Sequence, residues 1–358
     1  MTNQLSKDTI YYDISKDIRS DIWAYIVIGG RSTGKTYGAL KMCYEKKQKF
    51  VFSKRTREDV LLLCNRGRMS EYEIDISPFK PINRDIGSNV QARLISSQGL
   101  GGFWIHDAED KPEGNAIGYI MALSAVTKFK GFDMSDCDFL ILDEFIPQPW
   151  ERISKKEGEQ IMDLYKTIAR DREIRGREPL KLLALANAVS ISNPLCNILE
   201  ITDIIADMQA RGRDMVIIDG IMIRILQDAG FHEEEEKSLI YKRMAKTAWG
   251  QMALENKFAY DDLSNIGTVS IKGYRCICRI KYKTDEWYVY RKGRSYYVSF
   301  SQSTKYKKEY DLSLENDQKL FNIEYRIDIR DSCIDHKATF QSFTMYDVII
   351  NYMKYFKL

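Results

Sequence analysis

The chain predicts an α/β sheet domain followed by a smaller, strand-rich α+β domain, and three observations carry that expectation. Short apolar runs, "YIVI", "KFVFSK", "FLILDEF" and "KLLALAN", alternate with helical stretches from Ile22 to about Ile201. A glycine-rich turn, "GGRSTGKT", leaves the first of these runs and opens a helix. Beyond Gly267 the pattern turns to strands and ends in the helical stretch "FTMYDVIINYMKYFKL".

The turn comes first in the chain. Gly29, Gly30, Arg31, Ser32, Thr33, Gly34, Lys35 and Thr36 follow GxxxxGK[ST] without a departure. A strand entering such a turn and leaving as a helix aims several backbone N–H groups into one concavity, which suits a polyphosphate. Gly29 and Gly34 permit backbone conformations closed to other residues, Lys35 meets the β- and γ-phosphates, and the Thr36 hydroxyl ligates magnesium. The flanks agree: Ile22 to Ile28 is a β-branched and aromatic run, and "TYGALKMCYEKKQ" reads as a helix. Tyr11 and Tyr12, upstream, suit either stacking on a base or an ordinary surface or core place.

Between the second and third runs, "SNVQARLISSQGLGGFWIHDAED" carries two β-like pieces around glycines and reads as a hairpin insertion. The third run, "CDFLILDEF", is apolar throughout, as a central parallel strand is, and ends in Asp143 and Glu144. Two adjacent carboxylates there have separable tasks. Asp143 holds the metal through water, and Glu144 polarises the water that attacks the γ-phosphate. The pairing predicts an ASCE-type P-loop NTPase, the division in which hydrolysis does mechanical work.

The next run ends in Asn187, for which two readings stand: a sensor beside the γ-phosphate, or a turn residue ahead of Pro194. Between Glu144 and Asn187 lies the arginine-rich "YKTIARDREIRGRE". Hydrolysis needs positive charge on its transition state, and an arginine from a neighbouring subunit ties firing to assembly. Arg170 is the first candidate and Arg172 the second.

Composition bounds the rest. Seven cysteines without zinc-like spacing and only three histidines argue against a disulfide framework or a structural metal, and favour a reducing cytosol. No run approaches the roughly 20 apolar residues of a membrane span, and the N-terminus has no hydrophobic signal. The net charge of +3 is unevenly placed: from Gly267 onward, 17 lysines and arginines face 11 acidic residues. Within Lys272 to Lys308 the basic residues interleave with Tyr274, Tyr282, Trp287, Tyr288, Tyr290, Tyr296 and Tyr297. Such a mix fits a nucleic-acid surface, where phosphates are neutralised and bases meet rings, and equally a solvated sheet with tyrosines on its faces. The expected division is a P-loop ATPase domain over 1–203, a helical linker or lid over 204–265, and a basic, aromatic-rich domain over 266–358. In the linker, Glu233 to Glu236 reads as the solvated start of a helix.

These residues resemble the genome-packaging ATPases of small phi-29-like podophages. The likeness runs through "VIGGRSTGKTYGALK", "LILDEFI", "TIARDREIR", "NAVSISNP" and "GQMALENKF", the last three being the more specific. The resemblance implies a homomeric ring, pentameric in that family, on the portal vertex of a procapsid in the host cytoplasm, drawing double-stranded viral DNA inward with ATP and Mg2+. It implies that Arg170 is the finger acting across the subunit interface, with Lys130 in "KFKGFD" a second candidate. It also implies an RNase H-like C-terminal domain that no longer cuts, docks on the procapsid's structural packaging RNA and grips DNA. The strand "YRCICRIKYK" supports the loss of cutting: it carries Arg275, Arg279 and Lys281 where a nuclease places its first metal-binding acid. Asp311, Asp328, Asp331, Asp335 and Asp347 leave a different acidic cluster open. Arg291, Lys292 and Arg294 are the expected nucleic-acid contacts of that domain. The loop "PQPWERISKKEGEQ" leaves Glu144 directly, so Arg152, Lys155 and Lys156 are placed either to meet DNA phosphates or simply to solvate a loop.

Overall fold

The structure is a computed structural model, and it describes residues 11–31, 33–64, 76–129, 131–148, 151, 153, 154, 156–226, 239–244, 246, 247 and 263–350. The chain divides into two compact units, Met1–Ile198 with Met208–Tyr260, and Leu199–Asp207 with Asp261–Leu358.

The first unit is built on β1 (Ala24–Gly29), α1 (Lys35–Glu45), β2 (Phe50–Lys54), α2 (Arg57–Cys64), α3 (Lys80–Ile86), β3 (Val90–Ser96), β4 (Leu100–His106), β5 (Pro112–Ala122), β6 (Phe139–Asp143), α4 (Glu157–Ala169), β7 (Lys181–Asn187) and α5 (Pro194–Ile198). After α6 (Thr202–Arg211), β8 (Met215–Ile218), β9 (Ile221–Ile225) and α7 (Leu239–Met244) follow. Nine strands form one sheet in the order β3-β4-β5-β2-β6-β7-β1-β9-β8. From β5 to β9 the neighbours are parallel, whereas β3, β4 and β5 run antiparallel to one another and β8 antiparallel to β9. β1 is buried along its whole length, as an all-apolar strand of a sheet covered on both faces must be. Beside it, Phe50, Phe52, Phe79 and Phe103 meet ring to ring at 5.0–6.3 Å and lock β2 and β4 to the segment leading into α3.

Two features depart from the expected layout. The glycine-rich insertion pairs as β3 and β4, as expected, but continues into the 11-residue strand β5, which docks on β2 and makes the insertion part of the main sheet. Within 204–265 the described residues are not helical throughout: "MVIIDGIMIRI" folds as the hairpin β8–β9 and extends the sheet beyond β1. Its turn residues Asp219 and Gly220 have φ of 48° and 74°, the left-handed pair that a two-residue hairpin needs. Its isoleucines bury one strand against β1. The acidic run Glu233 to Glu236 and "GQMALENKF" lie outside the described residues.

In the second unit, β10 (Arg275–Tyr282), β11 (Asp285–Lys292), β12 (Ser295–Ser299), β13 (Lys308–Asp311) and β14 (Ala338–Phe340) make a five-stranded sheet in the order β13-β10-β11-β12-β14. The first three form an antiparallel meander, and β13 and β14 add in parallel at its two edges. Helices α8 (Glu315–Phe321), α9 (Ile327–Ile334) and α10 (Phe343–Ile350) supply Phe321, Ile329, Met345 and Ile349 to a core with Trp287, Val289 and Phe340. This is the smaller α+β unit expected from the sequence. All seven cysteines are free and buried. Among the described residues no helix is long and apolar enough to cross a membrane.

Candidate nucleotide site

Four neighbouring parallel strands end in a row along the carboxyl edge of the first sheet: β2 at Lys54, β6 at Asp143, β7 at Asn187 and β1 at Gly29. Open α/β sheets bind ligands at this edge. The turn from Gly29 to α1 needs its glycines for two different reasons. A Cβ on Gly29 would come within 2.9 Å of the Leu226 Cβ, so the crowding there is steric. Gly34 sits at φ 85° as the N-cap of α1, where an L side chain is strained, and its missing Cβ leaves room for Tyr11. The Tyr12 amide donates to the Thr33 carbonyl at 3.0 Å and its hydroxyl to Asp17 at 2.6 Å, which ties the upstream segment to the turn.

Lys35 is buried, and its Nζ donates to the carbonyls of Gly29 at 3.2 Å and Gly30 at 2.5 Å, to Thr33 Oγ1 at 3.1 Å and to Asn187 Oδ1 at 3.4 Å. An ammonium held by neutral acceptors can exchange them for phosphate oxygens, which bind it more strongly. The Thr36 hydroxyl donates to Asp143 Oδ1 at 2.6 Å. A hydroxyl and a carboxylate converging there are the hard oxygen donors magnesium takes, since that ion keeps most of its shell as water and phosphate. Glu144 is exposed and sits at φ 59°, a left-handed conformation rare for such a residue. A groove of about 620 Å³, lined by Tyr11, Tyr37, Lys41, Asp85 and Ile86, runs along α1 beside the turn; its size falls within the range of small-molecule pockets. Tyr11 lines it, with its ring 6.0 Å from that of Tyr37.

The end of β2 holds two residues that sequence reading missed. The Lys54 Nζ donates to Asp143 Oδ2 at 2.6 Å. Burial opposes the Lys54 charge, but the Asp143 carboxylate more than offsets this and raises the pKa of the ammonium. Arg55 reaches the carbonyls of Glu144 at 3.2 Å and Phe145 at 3.1 Å, Glu151 at 3.1 Å and the buried Glu157 at 2.9 Å. It thereby holds the turn after β6 in its unusual conformation and fastens the first residue of α4 beneath it. The signal was present: β2 and β6 are parallel with Ser53 opposite Leu142, so "KR" follows one strand where "DE" follows the other.

Other expected residues lie elsewhere. α4 starts near the carboxyl edge, runs back along the sheet, and bonds Tyr165 Oη to the Leu180 carbonyl just before β7 begins. Arg170, its C-cap, is therefore at the amino edge, a helix length of about 20 Å from the strand ends that form the site. It has φ 43°, donates to the Phe132 carbonyl and lies 3.6 Å from Asp133. Arg172 is only 4% exposed and donates to the carbonyls of Glu178, Ser135 and Cys137 and to Asp138. It staples the turn to the start of β6, which removes it as an interface finger. Ser32, Lys130, Arg152 and Lys155 lie outside the described residues. Lys156 is exposed at the N-cap of α4.

In the second unit, Arg291, Lys292 and Arg294 are exposed around the β11–β12 turn, and Arg275 stands directly opposite Arg291. Of the two readings of the interleaved aromatics, the stacking surface is not available to four of the tyrosines. Tyr288, Tyr290, Tyr296 and Tyr297 are 1–4% exposed, because alternation along β11 and β12 sends them into clusters on the two faces of the sheet. Arg279 and Lys281 are also spoken for: Glu309 accepts from both and is thereby held below the usual carboxylate range.

A strand–turn–helix phosphate cradle, a hydroxyl–carboxylate pair and a following glutamate, all at the carboxyl edge of a parallel sheet, define a P-loop NTPase. Over residues 95–333, more than half of its length, the chain matches the podovirus DNA encapsidation protein (Gp16) family, and it belongs to that family. It is 22% identical over 258 residues to the DNA packaging proteins of Bacillus phages phi29 and PZA, covering 71% of this chain and 67% of each of them. Among solved structures it is similar to the viral genome packaging motor assembly of bacteriophage Phi-29, with a TM-score of 0.63 at 18% identity over 96% of this chain and 99% of that one. It is also similar to the Phi-28 gp11 DNA packaging motor, with a TM-score of 0.62 at 16% identity over 97% and 98%. At such identities these two likenesses show the fold.

Proposed function

We propose that the chain is an ATP-driven motor that translocates double-stranded viral DNA into a procapsid, working as a self-associated ring on the portal vertex in the infected host. One observation carries this reading: the nucleotide site lies at the carboxyl edge of the sheet, while Arg170 lies at the amino edge. A hydrolytic site whose arginine cannot come from its own chain fires only in an assembly.

Lys35 exchanges its carbonyl contacts for the β- and γ-phosphates, the amides of Gly29 to Gly34 cradle them, and the groove beside Tyr11 receives the nucleoside. Thr36 and Asp143 hold Mg2+, which neutralises phosphate charge when bound. Lys54 releases Asp143 oxygens to that task. Glu144 accepts a proton from the attacking water and aligns it. Asn187, already bonded to Lys35, reports whether the γ-phosphate is present. Arg170 of a neighbouring copy stabilises charge on the transferring phosphoryl group, with Lys130 a second source.

The loop that starts at Glu144 and carries Arg152, Lys155 and Lys156 meets the DNA backbone. The relatives' names, a DNA packaging protein and a genome packaging motor, support this assignment of substrate. The second unit docks on the procapsid's structural RNA through Arg291, Lys292 and Arg294 and does not cut. The salt-bridged Glu309 supports a binding role, as does Asp311, whose carboxylate is taken up by the Ser313 amide and hydroxyl at 2.9 and 2.5 Å. The reading is tested by mixing variants in the DNA-stimulated ATPase assay. Arg170→Ala and Glu144→Gln should each be inactive alone, and mixed assemblies should regain turnover where an intact arginine meets an intact glutamate. Assembled mixtures with no recovery would refute action between copies.

A further inference from the structure

The surface around Arg170 carries two large apolar side chains left substantially in solvent. Ile174 is 89% exposed and Phe132 is 48% exposed. They belong to two loops stitched into one surface. Arg170 donates to the Phe132 carbonyl, Arg172 to the Ser135 and Cys137 carbonyls, and Arg177 to the Ser135 carbonyl at 2.7 Å. Phe132 is held in place: its ring meets the buried Phe129 edge to face at 5.5 Å, and its amide donates to the Phe129 carbonyl at 3.0 Å. Exposed aromatic and aliphatic side chains on loops joined by arginines are what an interface core is built from, where aromatic, aliphatic and arginine anchors cluster.

The mouth of the nucleotide groove has the complementary character. Tyr11 and Ile86 line it and are 41% and 36% exposed, beside the turn that takes the anionic phosphates. One surface offers apolar groups next to the Arg170 guanidinium, and the other offers apolar groups beside the turn that, on the proposed reading, holds the phosphates. Both lie in the same compact unit, one at each edge of the sheet, so neither can cover the other within one copy. Contact between different patches of identical chains is heterologous and, repeated, makes a ring when the rotation between copies closes.

We propose that Phe132 and Ile174 are the apolar anchors between successive copies of this chain, seating on the rim formed by Tyr11 and Ile86 of the next copy and thereby setting Arg170 at its phosphates. The inference rests on the reading that Arg170 acts between copies, and goes beyond it by naming what holds the arginine there. Arg170 alone gives an attraction that salt screens, whereas buried apolar anchors give the contact its geometry and lifetime.

The test uses full-length chain with duplex DNA and a non-hydrolysable ATP analogue, with self-association followed by sedimentation. The variant Phe132→Ser/Ile174→Asn should associate at least tenfold more weakly than the unaltered chain while binding the analogue equally well per chain. Its far-UV circular dichroism should be unchanged, since both side chains are exposed. The rim variant Ile86→Asn should likewise stay dissociated alone. Mixed together, the two should form dimers through the one intact pairing and regain ATP turnover at the site of the Phe132/Ile174 variant. Association of the double variant at unaltered strength, or no dimer in the mixture, overturns the anchors while leaving the arginine's role standing. Full turnover by an assembled Arg170→Ala chain overturns the reading beneath them. An unaltered chain that stays monomeric with both ligands overturns it as well.

Discussion

Replacing Arg55 by alanine exposes how the site is held, and the structure allows its effect to be worked out. The guanidinium has four partners that matter unequally. Glu151 has a side chain 42% exposed, so its pair contributes at most about 1 kcal/mol. Glu157 has a side chain 5% exposed and would be left as a buried carboxylate without its cation, an arrangement that costs roughly 3–5 kcal/mol. The carboxyl can escape by taking up a proton. For a glutamate of ordinary pKa this costs about 1.36 kcal/mol per pH unit, or about 3.7 kcal/mol at about pH 7 and about 1 kcal/mol at about pH 5. That escape caps the electrostatic part of the loss. The lost bonds to the Glu144 and Phe145 carbonyls add about 1 kcal/mol each, independent of pH. The sign follows from the groups involved. Burial raises the Glu157 carboxyl and Arg55 opposes that rise, so without Arg55 the folded chain holds the proton more tightly than the unfolded chain does. The deficit is therefore full above the folded-state pKa and shrinks as pH falls through it. Amide hydrogen exchange over β6 and α4, read by mass spectrometry at both pH values, measures it segment by segment. The double variant Arg55→Ala/Glu157→Gln should be more stable than Arg55→Ala at neutral pH and lack its pH dependence. A loss that is equal at both pH values, or a double variant no better than the single one, would refute this account of the clamp.

Three further outcomes are expected. Lys35→Ala should lose both nucleotide binding and turnover, whereas Glu144→Gln should bind ATP as before and turn over about 10²–10⁴-fold more slowly, as checked by calorimetry beside steady-state ATPase rates. Neutralising Arg152, Lys155 and Lys156 together should weaken DNA binding and flatten its dependence on salt by up to about three phosphates' worth while basal ATPase persists; an unchanged salt slope removes the loop from the DNA path. Charge reversal at Arg291, Lys292 and Arg294 should weaken binding of structured RNA by the full chain and leave its nucleotide affinity untouched, in filter-binding and calorimetric assays run side by side.

What the sequence made legible is what a few neighbouring residues decide. The phosphate turn needs glycines, a lysine and a threonine at fixed spacing, so "GGRSTGKT" reads directly, and an apolar strand ending in two acids reads nearly as well. What stayed hidden depends on partners distant in the chain. Lys54 and Arg55 matter because β2 lies parallel to β6 in a register that brings their cations level with Asp143 and Glu144, and no local pattern shows which strands adjoin. Arg170 and Arg172 stand two residues apart in one arginine-rich stretch, and only burial separates them. The tyrosines of β11 and β12 misled for a related reason: alternation with basic residues looks the same whether the rings face water or a core. The hairpin β8–β9 was signalled by "DG" between isoleucine-rich runs, a local cue that the helical character of its surroundings outweighed.

The position of α4 shows how hydrolysis can be made a property of the contact between copies. Its first residue, Glu157, is fastened by Arg55 to the backbone of Glu144, and its C-cap is Arg170. One rigid helix of about 20 Å thus joins a chain's own water-activating turn to the arginine it offers elsewhere. On the proposed reading, a turn that relaxed from φ 59° when the γ-phosphate left would displace Glu157 through the shared guanidinium. Because a helix transmits axial displacement with little loss, Arg170 would then move at the far end of the sheet by a comparable amount. On the proposed reading that end lies at the next copy's phosphates, where a shift of about 1 Å is enough to change the rate by about 10²-fold. Firing in one copy would then set the competence of the next in a single direction around the ring, since the contact is heterologous and has only one sense. Inserting one turn of residues into α4 should break this relation while sparing nucleotide binding. With Arg170 carried about 5.4 Å along the axis and away from the next copy's phosphates, ATP turnover by the assembly should be lost, and retained turnover would refute the coupling.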